Sequence, residues 1–323
     1  MQQIELSPTR LSYSIHRPSV NAFYTDHFVL PLPEGHRFPM QKYRLLREAI
    51  AVHPHINLLE APAASDTQLL YAHTPSYIQK VVAGELSESE QRAIGFPWSQ
   101  RMVERSRRSA GATIAACQAA LLDGVAVNLA GGTHHAYRDR GGGFCVFNDA
   151  AIAARVMQKT QGSQFRVAIV DLDVHQGNGT AAILENDERI FTLSLHGENN
   201  FPFQKERSNL DIALPDGCGD APYLAALSEA LNTVKTTFDP QLIIYLAGAD
   251  PHENDRLGKL SLTKAGMLAR DQMVFDWAAA SSIPVAIAMA GGYGKDIALT
   301  VEIHAQTIVA ALCLDQSLNH KAR

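Results

Sequence analysis

Short apolar segments recur along the second half of the chain, rich in Val, Ile, Leu and Ala and separated by polar stretches. They lie at residues 125–130, 166–170, 189–195, 242–247 and 283–290. Their apolar residues run almost continuously instead of alternating with polar ones. This pattern is typical of strands that are buried on both faces of a parallel sheet.

Segments with helical periodicity separate these strands, at residues 149–159, 178–187, 221–238 and 263–280. Strands that alternate with helices predict the α/β class, with one parallel sheet and helices on both of its faces. The first 120 residues follow the pattern less clearly: they predict a strand at 11–15 and then mostly helices, one of which starts near 73–77.

Composition limits the classes of protein that fit this pattern. The chain has 323 residues, 46% of them hydrophobic, and no linker or repeat divides it, so one domain over residues 1–323 is expected. The formal net charge of −5 gives no reason to expect nucleic acid as a partner. Helix 99–111 carries several arginines, and we interpret it as a solvated or carboxylate-paired surface.

The spacing of the cysteines and the N-terminal sequence indicate the cellular compartment of the protein. The four cysteines are far apart and form no C-x-x-C motif, which favours a reducing compartment. The N-terminus lacks the layout of a signal peptide, and no stretch approaches the length of a membrane span. We expect a cytoplasmic protein without a membrane span. The sequence leaves its oligomeric state open.

Polar residues capable of chemistry follow the predicted strands directly. The motifs are G-G-T-H-H from 131, D-L-D-V-H-Q-G-N-G-T from 171, G-A-D-P-H from 248 and G-G-Y-G from 291. In open α/β sheets the carboxyl ends of the strands form the rim of the ligand crevice. These four loops are therefore expected to converge on one site.

The segment after the second of these strands has the composition of a metal site. Asp171, Asp173 and His175 alternate, so on extended backbone they project to the same face. Asp250 follows another buried strand and supplies a third ligand, so that the set consists of two carboxylates and one imidazole. Such a mixed set suits Zn²⁺ with open positions for hydrolysis, and it also accepts Fe²⁺, Co²⁺ or Mn²⁺.

Two adjacent histidines and a tyrosine complete the candidate catalytic groups. His134 and His135 face the same rim and are suited to transferring protons near pH 7. Each needs a partner on its other ring nitrogen, and Asp171 and Asn178 are the candidates. Tyr293 could donate a hydrogen bond to a developing oxyanion.

Together, these motifs resemble the zinc-dependent histone deacetylase family, most closely its class IV branch and that branch's bacterial relatives. The further motifs G-G-F-C-x-F-N-D and S-L-H occur in the family's order. The resemblance implies the arginase/deacetylase fold. It also implies that Asp173, His175 and Asp250 bind the metal, that His135 is the general base and later the acid, and that Tyr293 polarises the acyl carbonyl. His134 becomes an electrostatic or proton-holding partner that Asp171 orients.

The same resemblance implies a tunnel for the substrate and a second ion. Gly143 and Phe144 would form one wall of the tunnel, and Phe201 or Phe203 the other. A structural K⁺ would be held near Asp171, Asp173, His175, Ser194 and Leu195.

Two positions depart from the commonest deacetylase pattern. Gln176 replaces a second histidine, and Asn178 replaces the aspartate behind the catalytic base. The class IV branch shares both departures. A neutral amide stabilises an imidazolium less than a carboxylate does, so His135 should stay neutral to lower pH.

The hypothesis that follows is metal-dependent hydrolysis of acylated lysine side chains in a protein or peptide, with acetyl or longer fatty acyl groups. The alternatives within this chemistry are an acetylpolyamine or small acetyl-amide amidohydrolase. An arginase-like ureohydrolase with two Mn²⁺ ions would need further carboxylates. A phosphoryl-transfer enzyme that uses D-L-D would leave the His pair and Tyr293 without roles. An acyl-lysine-binding module without activity is the alternative outside enzymology.

Overall fold

The computed structural model describes residues 19–321, with side chains described as far as residue 314. An eight-stranded sheet forms its centre, with strand order β2-β1-β3-β8-β7-β4-β5-β6 and every neighbouring pair parallel. The strands are β1 (Val20–Tyr24), β2 (Ile56–Glu60), β3 (Val125–Asn128), β4 (Val167–Asp171), β5 (Ile190–Gly197), β6 (Leu210–Leu214), β7 (Leu242–Leu246) and β8 (Val285–Ala288).

Helices connect the strands and cover both faces of the sheet. They are α1 (Gln41–Ile50), α2 (Asp66–Leu69), α3 (Pro75–Ala83), α4 (Glu88–Ile94), α5 (Gln100–Asp123), α6 (Asp149–Gln161), α7 (Asn178–Leu184), α8 (Asp220–Thr237), α9 (Lys264–Ser281) and α10 (Ile297–Lys321). The predicted α/β class, a parallel sheet with helices on both faces, is confirmed. One domain over residues 1–323 extends beyond the described part and stays a prediction.

Alternate residues of each central strand enter different cores, as β4 illustrates. Val167 and Ile169 pack with α5 and α6 on one face, whereas Ala168 and Val170 pack with α8, α9 and α10 on the other. Because both faces are covered, the strand has no polar face, and this explains its continuous apolar sequence.

Three strands were not predicted, and the bounds of two helices differ. In β1, Asn21 interrupts the apolar run and donates a hydrogen bond to Asp123. The strands β2 and β6 lie at the two edges of the sheet, where exposed positions interrupt the apolar pattern. The helix predicted over 178–187 ends at Leu184, and that predicted over 99–111 continues to Asp123. The strand predicted at 11–15 lies outside the described residues.

Within the described residues, one stretch is long and apolar enough to cross a membrane, Ile297–Leu314 of α10. The sequence predicted no such stretch. Of this stretch, 44% is buried inside the structure, where α10 packs against α1 and α9. A core helix satisfies the same criterion of length and composition.

The order of the strands positions the candidate site. The four loops with chemically capable residues follow β3, β8, β7 and β4, which are consecutive neighbours in the sheet. Since all four strands are parallel, their carboxyl ends lie side by side at one edge. The convergence predicted from the sequence is therefore a consequence of the topology.

Candidate active site

Three side chains form a candidate metal centre at this edge. Asp173 and His175 follow β4, Asp250 follows β7, and one ligand atom from each lies within 4.8 Å of the others. His175 Nδ1 is 3.0 Å from Asp173 Oδ1 and 3.3 Å from Asp250 Oδ2. All three residues are buried.

Backbone groups hold these carboxylates in place. Gly291 N–H donates to Asp173 Oδ2 over 2.8 Å, and Val174 N–H donates to Asp250 Oδ1 over 3.0 Å. Asp250 Oδ2 is buried and accepts no hydrogen bond. A Cβ atom at Gly291 would lie only 2.0 Å from this oxygen, so the glycine keeps the space beside it open. An orphan carboxylate oxygen, a second carboxylate and an imidazole together fit a divalent cation.

The charges of the centre also favour a cation. Burial and the neighbouring Asp173 charge raise the pKa of Asp250 to about 7. Although burial opposes it, the neighbouring carboxylates of Asp173 and Asp250 raise the pKa of His175 to about 10. Protons are therefore retained near pH 7 when no metal is bound, and a divalent cation would replace them.

His134 is held by a carboxylate, as predicted. Its Nδ1 lies 2.7 Å from Asp171 Oδ2, and both side chains are buried. Although burial opposes the charged form, the Asp171 and Asp173 carboxylates raise the pKa of His134 to about 9. This imidazole consequently favours the protonated state near pH 7.

His135 is held by an amide instead. Its Nδ1 lies 2.7 Å from Asn178 Oδ1, Asn178 Nδ2 donates to Tyr137 Oη, and that hydroxyl donates to Glu206. This chain of donors orients the Asn178 carbonyl oxygen toward the ring, so Nδ1 carries the proton and Nε2 is free to accept one. Burial, with the positive charges of His134 and His175, lowers the pKa of His135 well below its usual value.

Tyr293 lies in a turn whose backbone is held by several charged residues. Its N–H donates to Asp255 Oδ2 over 2.6 Å, and its carbonyl oxygen accepts from Arg256 Nε. Lys42, which is buried, donates to the carbonyl oxygens of Ala290 and Gly292. Burial raises the pKa of the Tyr293 phenol well above its usual value, so it remains a hydrogen-bond donor.

A cavity of about 600 Å³ connects these groups to the surface. Phe144 and Phe201 both line it. The Phe201 ring lies edge-on to His135, with centroids 4.8 Å apart, whereas Phe203 is 88% exposed and lies at the mouth. Phe201 is thus the aromatic residue packed on the candidate base. A Cβ at Gly143 would approach the His135 ring to 2.5 Å, so this position has room only for glycine.

The loop that carries Phe144 is fastened to a distant helix. Gly143 N–H donates to Ala93 O, and Phe144 N–H donates to Ile94 O at the end of α4. Phe144 adopts a φ of +66°, which is rare for a residue with a large side chain. Strained backbone of this kind is concentrated at functional sites.

The predicted K⁺ residues also lie together. Asp171 and Ser194 are partners in the β4–β5 register, and Leu195 next to Ser194 is buried. The Asp173 N–H donates to Asp171 Oδ1. A potassium site at this position stays a prediction.

Sequence reasoning missed several residues that shape the site. Tyr137 continues the hydrogen-bond chain behind His135, while Lys42, Asp255 and Arg256 hold the Tyr293 turn. Tyr137 follows His134 by three residues, and this closeness in sequence could have indicated that it belongs to the site. Lys42 lies in a mostly polar helix, and its spacing carries no signal.

Comparison with known proteins identifies the family. A model of the histone deacetylase domain matches residues 36–308, which include every candidate catalytic and metal-binding residue. The chain belongs to the histone deacetylase family. Its assignment to the class IV branch stays a prediction.

Relatives of this deacetylase-family chain occur in bacteria and plants. It is 44% identical to an uncharacterized protein of Picosynechococcus sp. over 85% of this chain and 92% of that protein. It is 33% identical to histone deacetylase 2 of Arabidopsis thaliana, over 76% of this chain and 65% of the plant protein. It is 32% identical to a histone deacetylase-like amidohydrolase of Pseudomonas aeruginosa, over 76% of this chain and 69% of that protein.

Solved structures show the same fold. An HDAC homolog from Aquifex aeolicus superposes with a TM-score of 0.77 at 25% identity, covering 92% of this chain and 84% of that one. The arginase/deacetylase fold implied by the sequence motifs is therefore confirmed. Members of the family are hydrolases that act on amide bonds.

The stoichiometry and affinity of metal binding test the candidate metal centre. We expect the purified protein to bind one divalent ion per chain, and Asp250→Asn to weaken that binding by at least about 100-fold because a charged ligand is lost. Elemental analysis gives the stoichiometry, and competition with a chromophoric chelator gives the affinity.

Asp216→Asn, a change at an exposed carboxylate, serves as the control. Unchanged affinity in Asp250→Asn, or two ions per wild-type chain, would contradict a single centre at these three residues.

Proposed function

We propose that this chain hydrolyses the amide bond of acylated lysine side chains in proteins or peptides. The observation that carries the proposal is one cavity lined by a histidine held by an amide, a histidine held by a carboxylate, a phenol, and Asp173 and His175, which cluster with Asp250 behind them. A lysine side chain that enters between Phe144 and Phe201 would bring its amide to this point.

The cluster would hold Zn²⁺, with Fe²⁺, Co²⁺ or Mn²⁺ as other candidates for this ligand set. When bound, such an ion supplies a Lewis acid that polarises the acyl carbonyl and acidifies water.

The residues of the chain perform the proton transfers. His135 accepts a proton at Nε2 from the attacking water because its Nδ1 is already protonated and directed to Asn178. His134, positively charged beside Asp171, stabilises the negative charge that develops on the acyl oxygen. Tyr293 donates a hydrogen bond to the same oxygen, and the proton on His135 then passes to the departing amine.

The charges of the cavity bear on the substrate. Apart from the metal-binding cluster and the two histidines, the charged residues that line the cavity are all basic: Arg37, Arg92, Arg105 and Lys259. Arg92 is paired with Glu88 and Lys259 with Asp216, so Arg37 and Arg105 are the positive charges that repel a polycationic ligand. This supports an acyl-lysine peptide with few basic neighbours over an acetylpolyamine. Cytoplasmic location stays a prediction.

A ureohydrolase with two manganese ions finds less support. Among the residues that the structure describes, Asp173, His175 and Asp250 form a single group of three or more metal-binding side chains, so a second ion lacks its ligands.

The direct test of the proposed reaction is a panel of fluorogenic acyl-lysine peptides, assayed with and without a chelator. We expect the acyl group to be released as the free acid, activity to disappear with the chelator, and activity to return when Zn²⁺ is added. An enzyme that turns over every peptide equally well after complete removal of the metal would contradict the proposed use of the cluster.

Removing the phenol tests the role of Tyr293. In Tyr293→Phe we expect kcat to fall on the order of 10²- to 10³-fold, the usual effect of losing one donor to the oxyanion. Steady-state kinetics on an acetyl-lysine peptide measure the change, and Tyr71→Phe, outside the cavity, is the control. Near wild-type turnover in Tyr293→Phe would show that this phenol does not contact the reacting oxygen.

The amide behind His135 sets the pH dependence. His135 acts as a base only when neutral, so activity is lost as the pH falls through its pKa, which is low in this protein. In Asn178→Asp a carboxylate replaces the amide and raises that pKa, so the acid limb of the kcat/KM profile should move to higher pH. Asn199→Asp, at the exposed rim, tests whether any added charge does the same. An unmoved acid limb in Asn178→Asp would rule out this pairing.

A further inference from the structure

Arg105 is the one arginine in the second turn of α5 that does not behave as the sequence predicted. Its neighbours Arg107 and Arg108 form ion pairs with carboxylates, as expected for a carboxylate-paired surface. Arg105 forms no ion pair with any described residue, yet it is only 6% exposed. A buried guanidinium without a carboxylate is unusual because charges are costly to remove from water.

Arg105 has neutral hydrogen-bond partners but no carboxylate partner among the described residues. A guanidinium has five N–H donors. In this chain Nη1 donates to Thr25 O at 3.3 Å and to Thr25 Oγ1 at 3.5 Å, and the Tyr43 side chain is a further hydrogen-bond partner of the group. The Tyr43 ring lies beneath the group, 4.3 Å from Cζ. The nearby carboxylate of Asp26 is already paired with Arg47 at 2.8 Å.

Arg105 lines the same cavity as the candidate catalytic groups. Buried residues surround it at this end of the cavity, among them Leu30, Tyr43 and Ser109, whereas Phe201 and Phe203 are exposed at the mouth. The small residues 130–132, which precede the His134–His135 pair in the chain, line the same cavity. An acyl group that extends past the reacting carbonyl along these residues would approach Arg105.

The chemistry of this enclosed end decides which group fits. A hydrocarbon chain would cover the guanidinium and give it no acceptor, which is unfavourable. A carboxylate accepts two parallel N–H bonds from a guanidinium and neutralises its charge. The hydroxyl of Ser109 and the Tyr43 side chain add polar surface around the same point.

We infer that the enclosed end of the cavity binds a carboxylate at the far end of the acyl group, so that the preferred substrates are half-amides of dicarboxylic acids. This inference rests on the proposed amide hydrolysis. Water adds to the acyl carbon, the C–N bond breaks, and the amine leaves with a proton. The distal carboxylate is unchanged and serves only for recognition.

The test compares acyl groups of equal length with and without a terminal carboxylate. Lysine peptides carrying succinyl, glutaryl and adipyl groups are compared with butyryl, pentanoyl and hexanoyl peptides. For at least one length we expect the carboxylate to raise kcat/KM on the order of 10- to 100-fold, the range for a charge-assisted hydrogen bond.

Variants of Arg105 locate the effect. In Arg105→Met the ratio of kcat/KM between the charged and uncharged acyl groups should fall to about one. In Arg105→Lys part of the ratio should return because the charge remains without the planar fork. Arg101→Met, an exposed arginine on the same helix, should keep the wild-type ratio. If Arg105→Met does not fold, Arg105→Gln replaces it, and the wild-type ratios decide the question without any variant.

Equal or higher rates for the uncharged chains would overturn the inference, as would a preference that persists in Arg105→Met. Binding of free glutarate, measured by calorimetry on the metal-loaded protein, separates this outcome from failure of the proposed function. If no acyl-lysine peptide is hydrolysed but glutarate binds to the wild type and not to Arg105→Met, the reaction is wrong and the carboxylate site is supported. If acetate binds as tightly as glutarate and no charged acyl group is preferred, the inference is wrong.

Discussion

Repulsion among buried carboxylates is the constraint that organises this site. Asp171, Asp173 and Asp250 are all buried within one edge of the sheet, where water cannot screen them. Asp171 is balanced by His134, and the other two face His175. Their remaining oxygens are tied to backbone N–H groups, apart from the orphan oxygen of Asp250. Ligand atoms of Asp173, His175 and Asp250 lie within 4.8 Å of one another, so a cation between them would offset the repulsion.

At the same edge of the sheet, two chemically identical side chains have different proton affinities. His134 and His135 are consecutive, and their ring centroids lie 4.2 Å apart. A carboxylate behind one ring raises its pKa, whereas burial and neighbouring positive charge lower the pKa of the other. Each charge state supports the other, since a protonated His134 discourages a second proton on His135. The difference in pKa between the two histidines thus depends on the partner and the charges around each ring.

The fold class and the central part of the site could be predicted from the sequence because both depend on local pattern. Buried parallel strands have continuous apolar sequences, and the polar residues that follow them must meet at one edge. The contacts of Lys42 and Arg105 could not be predicted, because they join segments far apart in the chain, such as Lys42 and Ala290. The choice between Phe201 and Phe203 depended on the path of an irregular loop.

The strands β1, β2 and β6 were not predicted for a related reason. They are short, and polar or exposed positions interrupt their apolar residues. Whether such a segment forms a strand or a loop depends on its pairing with neighbouring strands. Tertiary contacts therefore determine these three strands, and the sequence pattern of a single segment does not contain that information.

The Phe144 loop is attached to the end of α4, so the position of the aromatic wall and that of the candidate catalytic groups depend on different parts of the chain. The candidate catalytic groups follow β3, β4, β7 and β8, whereas the loop of Phe144 is hydrogen-bonded to α4, a helix from an earlier part of the chain. Insertions or substitutions around α4 would widen or narrow the entrance while the candidate catalytic groups stay in register. The region around α4 is therefore a place where protein engineers can alter selectivity while leaving those groups unchanged.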